Sequence, residues 1–168
     1  EYEAVIRGNY NGSISFGGLA GDVNQLNNAI AIGWLAGRVN QSDSAIAIGD
    51  NTGAGSQGSQ AIAIGRSAAQ SAQGNYGLAI GVTAGNQSQG QYAIAIGYQA
   101  GYNNQGQESV AIGHGAGYSG MANYSIAIGR SAYTSYTSVV LNANTSSLTD
   151  SNGAGFYVKP VRAVTSTS

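Results

Sequence analysis

The chain has 168 residues, of which 8% are charged, and its formal net charge is −1. With so few basic residues it has no basic face for nucleic acid or for an acidic membrane surface. It has no cysteine and no apolar run of eighteen residues, so disulfide crosslinks are excluded and membrane insertion by this chain is not expected. The length suits one domain.

A short apolar motif recurs along most of the chain. It reads AIAIG four times, and its variants are SISFG, GLAIG, SVAIG and SIAIG. The eight motif glycines stand sixteen residues apart, at Gly17, Gly33, Gly49, Gly65, Gly81, Gly97, Gly113 and Gly129. Internal repeats of fixed period indicate a solenoid. The sequence therefore predicts an all-β parallel β-solenoid of about eight sixteen-residue coils.

The repeat divides the chain into three parts. Residues 1–12 form an N-terminal lead-in, and residues 13–132 carry the repeat as a β-roll. Residues 133–168 lie outside the register, because SVVLNAN at 138–144 echoes the strand three residues out of phase. We expect this last segment to leave the roll from about Tyr133 and to pack differently.

Large apolar residues occupy two positions of each repeat. We number each coil from its motif glycine, at position 0, so that these residues fall at positions 13 and 15. Alternation and β-branching there indicate a strand, and equivalent residues of successive coils should stack roughly 4.8 Å apart. We predict that these side chains point inward as a core ladder: Ile30, Ile32, Ile46, Ile48, Ile62, Ile64, Leu78, Ile80, Ile94, Ile96, Val110, Ile112, Ile126 and Ile128.

Alanine occupies position 14, between the two apolar residues. If the isoleucines point inward, this column points outward, together with small residues at position 12. Such a smooth strip is either a bare surface or a subunit interface, and we favour an interface because small side chains let backbones approach closely. The predicted interface residues are Ala31, Ala47, Ala63, Ala79, Ala95, Ala111 and Ala127.

Glutamine and glycine recur at fixed positions as well. Position 8 is glutamine in six consecutive coils. These amides either stack in a hydrogen-bonded ladder or are solvated in a turn, and both interpretations stay open. Glycines at positions 0 and 4 are expected where the backbone reverses and a Cβ would clash.

Two resemblances bear on assembly. AIAIG followed by Ala-Gly resembles the head repeats of YadA-like trimeric autotransporter adhesins, over residues 13 to about 132. This resemblance implies a left-handed β-roll in a homotrimer. The segment GAGFYVKPVRAVTS at 153–166 looks like the closing segment of fibre proteins from large DNA viruses and tailed phages, where a self-cleaving trimerisation chaperone follows. Together they imply an extracellular fibre on a virion or cell surface.

The sequence offers no set of residues for catalysis. His114 is the only histidine, and no Ser/His/Asp set, carboxylate pair, phosphate-binding loop or metal-ligand cluster accompanies it. We therefore predict that the chain is not an enzyme and binds no cofactor and no metal.

Aromatic residues recur at equivalent positions of neighbouring coils. The register should stack Tyr98 on His114, Tyr102 on Tyr118, and Tyr76 on Tyr92. The favoured interpretation is that these rings stabilise the stacking of coils. The alternative is a surface that binds a glycan or a cell-surface receptor, for which the candidates are Trp34, Tyr98, Tyr102, His114 and Tyr118.

The favoured function is a non-enzymatic structural or adhesive fibre protein, displayed as a trimer. The main alternative is the head of a bacterial trimeric autotransporter adhesin that binds a host or matrix surface. An ice-binding solenoid would need a flat, threonine-rich face, and only Thr52 and Thr83 lie between Gly17 and Gly129. A β-helix acyltransferase or sugar-nucleotide enzyme is disfavoured by the period and by the missing catalytic base.

Overall fold

The computed structural model of the protein describes residues 6–8 and 11–160. Within these ranges the regular structure consists of strands alone, joined by turns. The strands are β1 (Ile6–Gly8), β2 (Ile14–Phe16), β3 (Val23–Gln25), β4 (Ile30–Ile32), β5 (Val39–Gln41), β6 (Ile46–Ile48), β7 (Ser56–Gln57), β8 (Ile62–Ile64), β9 (Ala72–Gln73), β10 (Leu78–Ile80), β11 (Gln87–Gln89), β12 (Ile94–Ile96), β13 (Asn103–Gln105), β14 (Val110–Ile112), β15 (Ile126–Gly129), β16 (Ala132–Tyr133), β17 (Val139–Asn142), β18 (Leu148–Thr149) and β19 (Phe156–Lys159).

The strands form a parallel β-solenoid. The large sheet has eleven strands in the order β1-β2-β4-β6-β8-β10-β12-β14-β15-β17-β19. The second sheet has six strands in the order β3-β5-β7-β9-β11-β13, and β16 pairs with β18 in a third sheet. Equivalent residues sixteen apart are direct neighbours, since Ala79 pairs with both Ala63 and Ala95. The predicted all-β parallel solenoid with sixteen-residue coils is therefore confirmed, and it has about nine coils.

The C-terminal segment continues the large sheet. Val139 pairs with Ile126, thirteen residues earlier, and Phe156 pairs with Val139, seventeen residues earlier. The expectation that the chain leaves the roll after Tyr133 is therefore wrong as far as Lys159. The strands keep their alternation of inward and outward residues, so pairing survives the change in turn length. Residues 161–168 lie outside the described residues, and they include the last six residues of the segment likened to viral and phage fibres.

Alanine, and not isoleucine, lines the interior of the roll. The predicted interface residues are all 0% exposed and lie inside the single chain: Ala31, Ala47, Ala63, Ala79, Ala95, Ala111 and Ala127. The predicted core residues lie on the outer surface of the large sheet, half-buried or exposed: Ile30, Ile32, Ile46, Ile48, Ile62, Ile64, Leu78, Ile80, Ile94, Ile96, Val110, Ile112, Ile126 and Ile128. The predicted core residues are therefore on the outside of the roll, and the predicted interface residues are in its interior.

The narrowness of the roll explains this arrangement. The side chain of Gln41 crosses the interior from the second sheet, and its Nε2 donates a hydrogen bond to the carbonyl of Ile30 in the large sheet, at 2.7 Å. The two sheets are thus only one side chain apart. A second layer of large residues has no room there, because protein interiors are already close-packed. The alanine side of each strand consequently faces inward.

The glutamines fill the rest of the interior as an amide ladder. Gln41, Gln57, Gln73, Gln89 and Gln105 are at most 4% exposed. The Nε2 of one glutamine donates to the Oε1 of the next in four of the five possible steps, at 3.0 to 3.2 Å. The ladder interpretation is confirmed, and the solvated-turn interpretation is wrong.

Glycines are required where coils or side chains approach the backbone. Gly81 has φ +128°, and a Cβ built on it would lie 2.6 Å from the carbonyl oxygen of Gly97 in the next coil. Gly85, at position 4, has φ +54°, and its Cβ would lie 3.0 Å from Oε1 of Gln89. Glycine at position 4 therefore leaves room for the ladder glutamine of the same coil.

Candidate interaction surface

The largest surface feature of the roll is an outer apolar face on the large sheet. It consists of the side chains at positions 13 and 15, and their equivalents, on ten adjacent parallel strands. In β10 the middle residue, Ala79, is buried, whereas Leu78 and Ile80 on either side are half-buried. The face is made of the fourteen residues predicted as the core ladder together with Ile14, Phe16, Val139, Leu141, Phe156 and Val158.

Twenty side chains of this face are apolar and none is charged or polar. At the usual strand spacing, ten strands span about 43 Å. Soluble monomers rarely expose a continuous apolar surface of that extent. Several of its members are well exposed in the single chain, including Ile14 (46%), Phe16 (44%) and Phe156 (69%). The face is therefore the strongest candidate for contact with another molecule.

The aromatic residues form short stacks, as the register predicted. The ring centroids of Tyr102 and Tyr118 are 5.0 Å apart with an interplanar angle of 6°, and those of Tyr98 and His114 are 5.1 Å apart. Tyr76 and Tyr92 stack at 4.8 Å on the opposite turn of the coil. Each stacked ring covers one face of its neighbour. These contacts between rings of successive coils fit the structural interpretation.

The candidates for surface binding do not form one site. Four of them, Tyr98, Tyr102, His114 and Tyr118, lie together on the same turn of two adjacent coils. Trp34 is four coils away, and its ring lies over the backbone of the preceding coil: a Cβ built on Gly18 would be 2.5 Å from its Cε3. Trp34 therefore fills the space that glycine leaves at Gly18 and is no part of the tyrosine group.

Groups suited to catalysis or metal binding do not come together. In residues 6–8 and 11–160, no three His, Cys, Asp or Glu side chains are placed to share a metal ion. His114 packs against a tyrosine, and Asp150 is buried, with its two carboxylate oxygens accepting hydrogen bonds from the backbone N–H groups of Ser135 and Tyr136, each at 2.8 Å. Over the same residues, no helix has the length and apolar character needed to cross a membrane.

Sequence reasoning missed both ends of the outer apolar face and the role of Asp150. The motif variants SISFG and SVVLNAN carry the signal for Ile14, Phe16, Val139 and Leu141, since they alternate as the other repeats do. No pattern in the sequence indicates that Asp150 holds the turn at Ser135 and Tyr136, because the contact spans chain segments outside the period.

Comparisons with protein-family models, with curated proteins and with solved structures found no match to this chain. The fold and the surfaces define a β-solenoid repeat protein with one outer apolar face. A function must accordingly be argued from these surfaces, since a fold alone does not specify one.

Proposed function

We propose that the chain is a non-enzymatic structural or adhesive fibre protein that assembles as a homotrimer on the surface of a virion or a cell. The observation that carries this proposal is the outer apolar face, which runs along ten strands without a charged or polar side chain. Covering this face would bury a large apolar area and supply the main driving force for assembly.

A second copy of the same chain is the partner that fits best. Each copy presents side-chain columns at one fixed spacing, so two copies aligned in parallel meet with matched spacing along their whole length. Specific interfaces use roughly 20–30 residues a side, and the twenty apolar side chains fall in that range. In a closed cyclic assembly every copy contributes the same face. The number three rests on the resemblance to trimeric adhesin heads.

The extracellular location and the fibre role rest on the two sequence resemblances. A solenoid about nine coils long, whose stability adds up coil by coil, suits a spacer or a display element. In the alternative function, an adhesin head, the turn that carries Tyr98 and Tyr102 would be the binding surface. The same rings also join two successive coils of the roll.

Charge substitutions on the two outer surfaces test the proposal. Light scattering coupled to chromatography should find the wild-type chain as a trimer. We expect Ile80→Glu combined with Ile96→Glu to yield monomers that keep a β-sheet circular dichroism spectrum, because the added charges would be buried between copies.

Gln87→Glu is the matched control, since Gln87 is exposed on the second sheet. This variant should remain trimeric. A wild-type chain that is monomeric at micromolar concentration, or an Ile80/Ile96 variant that assembles normally, would refute the proposed assembly.

A further inference from the structure

We propose that the two coils at residues 49–80 form a weak joint, at which the roll opens first and separates an N-terminal unit (14–48) from a C-terminal unit (81–160). Three features of the roll change in these two coils: the amide ladder, one column of the alanine core and the width of the second sheet. The joint is a conformational property of the chain and does not depend on its oligomeric state.

The amide ladder is broken inside this region. Gln57 donates to the carbonyls of Ile46 and Ala61, at 2.7 and 3.3 Å, but not to Gln73. The Oε1 of Gln73 is buried and has no hydrogen-bond partner. An unsatisfied buried acceptor costs free energy that the other steps of the ladder do not lose.

Ala69 accounts for the break. Position 4 is glycine in the coils of Gln41, Gln57, Gln89 and Gln105, but alanine in the coil of Gln73. In those four coils an added Cβ would lie at or under 3.1 Å from the glutamine Oε1. Ala69 carries a real Cβ at this place, with φ +46°. The side chain of Gln73 must therefore shift, and its Oε1 no longer accepts a hydrogen bond from Nε2 of Gln57.

One column of the alanine core is interrupted at the same place. Position 3 is alanine in the other coils, but it is Thr52 here, fully buried. Its hydroxyl donates to the carbonyl of Gly65 in the next coil. Thr52 therefore stands between Ala36 and Ala68 in the column of position 3, whereas in the large sheet Ala47 and Ala63 remain direct neighbours.

The second sheet is narrowest here as well. β7 and β9 have two residues each, whereas β3, β5, β11 and β13 have three. One residue pair, Gln41 with Gln57, joins β5 to β7, and one pair, Gln73 with Gln89, joins β9 to β11, whereas two pairs join β7 to β9. The narrow steps therefore lie on either side of the broken ladder step. The large sheet runs through without interruption, so the coils can part on one side while the chain stays paired on the other.

These changes matter because a solenoid is held together by contacts between nearest neighbours. Its stability is approximately a sum of coil terms and interface terms. Partial opening therefore occurs at the weakest interface, and the coils on either side behave as separate cooperative units.

Hydrogen exchange of equivalent amides tests the joint directly. The N–H groups of Leu26, Ser42, Gly58, Gly74 and Gly90 each donate to a ladder-glutamine carbonyl of the next coil, at 2.8 to 3.1 Å. Of these five amides, only that of Gly58 joins the two coils between which the ladder is broken, since it donates to the backbone carbonyl of Gln73. On the full wild-type chain, we expect its protection factor to be at least about tenfold below those of Gly74 and Gly90.

Two variants separate the joint from a general weakness. Ala69→Gly restores glycine at position 4, so it should raise the protection factor of the Gly58 amide to that of the Gly74 amide. Gly85→Ala places alanine at position 4 of the next coil, that of Gln89. It should lower the protection factor of the Gly74 amide and leave that of the Leu26 amide unchanged. Equal protection at all five amides, or an Ala69→Gly variant that changes all five alike, would overturn the proposal.

Discussion

The outer surfaces of the two sheets differ although they enclose the same interior. Outside the large sheet, every position that alternates with a buried alanine is large and apolar. Outside the second sheet, small or polar residues prevail, such as Ser56, Ala72, Gln87 and Asn104, all exposed. Since both sheets face the same alanines and glutamines, the stability of the single roll does not require an apolar exterior. The difference is what the proposed assembly through the outer apolar face requires.

An interior charge is the change with the largest expected effect. Ala79→Glu would place a carboxylate among fully buried alanines and amides, with no cation beside it. An uncompensated buried charge costs several kcal/mol, so we expect the chain to unfold rather than to dissociate into folded copies. Circular dichroism during heating would show the loss of the β-sheet transition, with exposed Gln87→Glu as the unaffected control.

A neutral change in the ladder should have a smaller effect. Gln89→Met keeps a long side chain, as Met121 does at the same position of a later coil, but removes the bonds to Gln73, Gln105 and the carbonyl of Leu78. Buried groups left unsatisfied cost about 1–3 kcal/mol. Chemical denaturation should show a loss of that size, with the oligomeric state unchanged. A variant as stable as the wild type would show that the ladder contributes little.

Much of the fold follows from the spacing of a few residues. The motif glycines fix the period, so the pairing of Ala63 with Ala79 and the stacking of Tyr102 on Tyr118 could be predicted. Alternation also shows that each strand has two different sides, but not which side faces inward. That choice is made by the width of the interior, which the crossing side chain of Gln41 sets in three dimensions.

The candidate surface was hidden by the same ambiguity. If the isoleucines are assigned to the core, no outer apolar face is predicted. The alanines then lie on the outside and are predicted as the interface instead. The combination of Gly85 and Gln89, four residues apart, held a clue, because a glutamine packed over a glycine already occupies the interior. The ends of the face at Val139 and Phe156 do not follow from the period, because the paired strands there lie thirteen and seventeen residues apart.

Single cysteines at Ala79 and Ile80 test most directly which side of the strand meets another copy. The chain contains no cysteine, so each introduced thiol reports on one position. We predict that Ile80→Cys forms disulfide-linked dimers of the chain under mild oxidation, and that the thiol of Ala79→Cys resists alkylation until the protein is unfolded. Crosslinking through Ala79→Cys in the native protein, with an unreactive Ile80→Cys, would contradict an interior of alanine and an assembly through the outer apolar face.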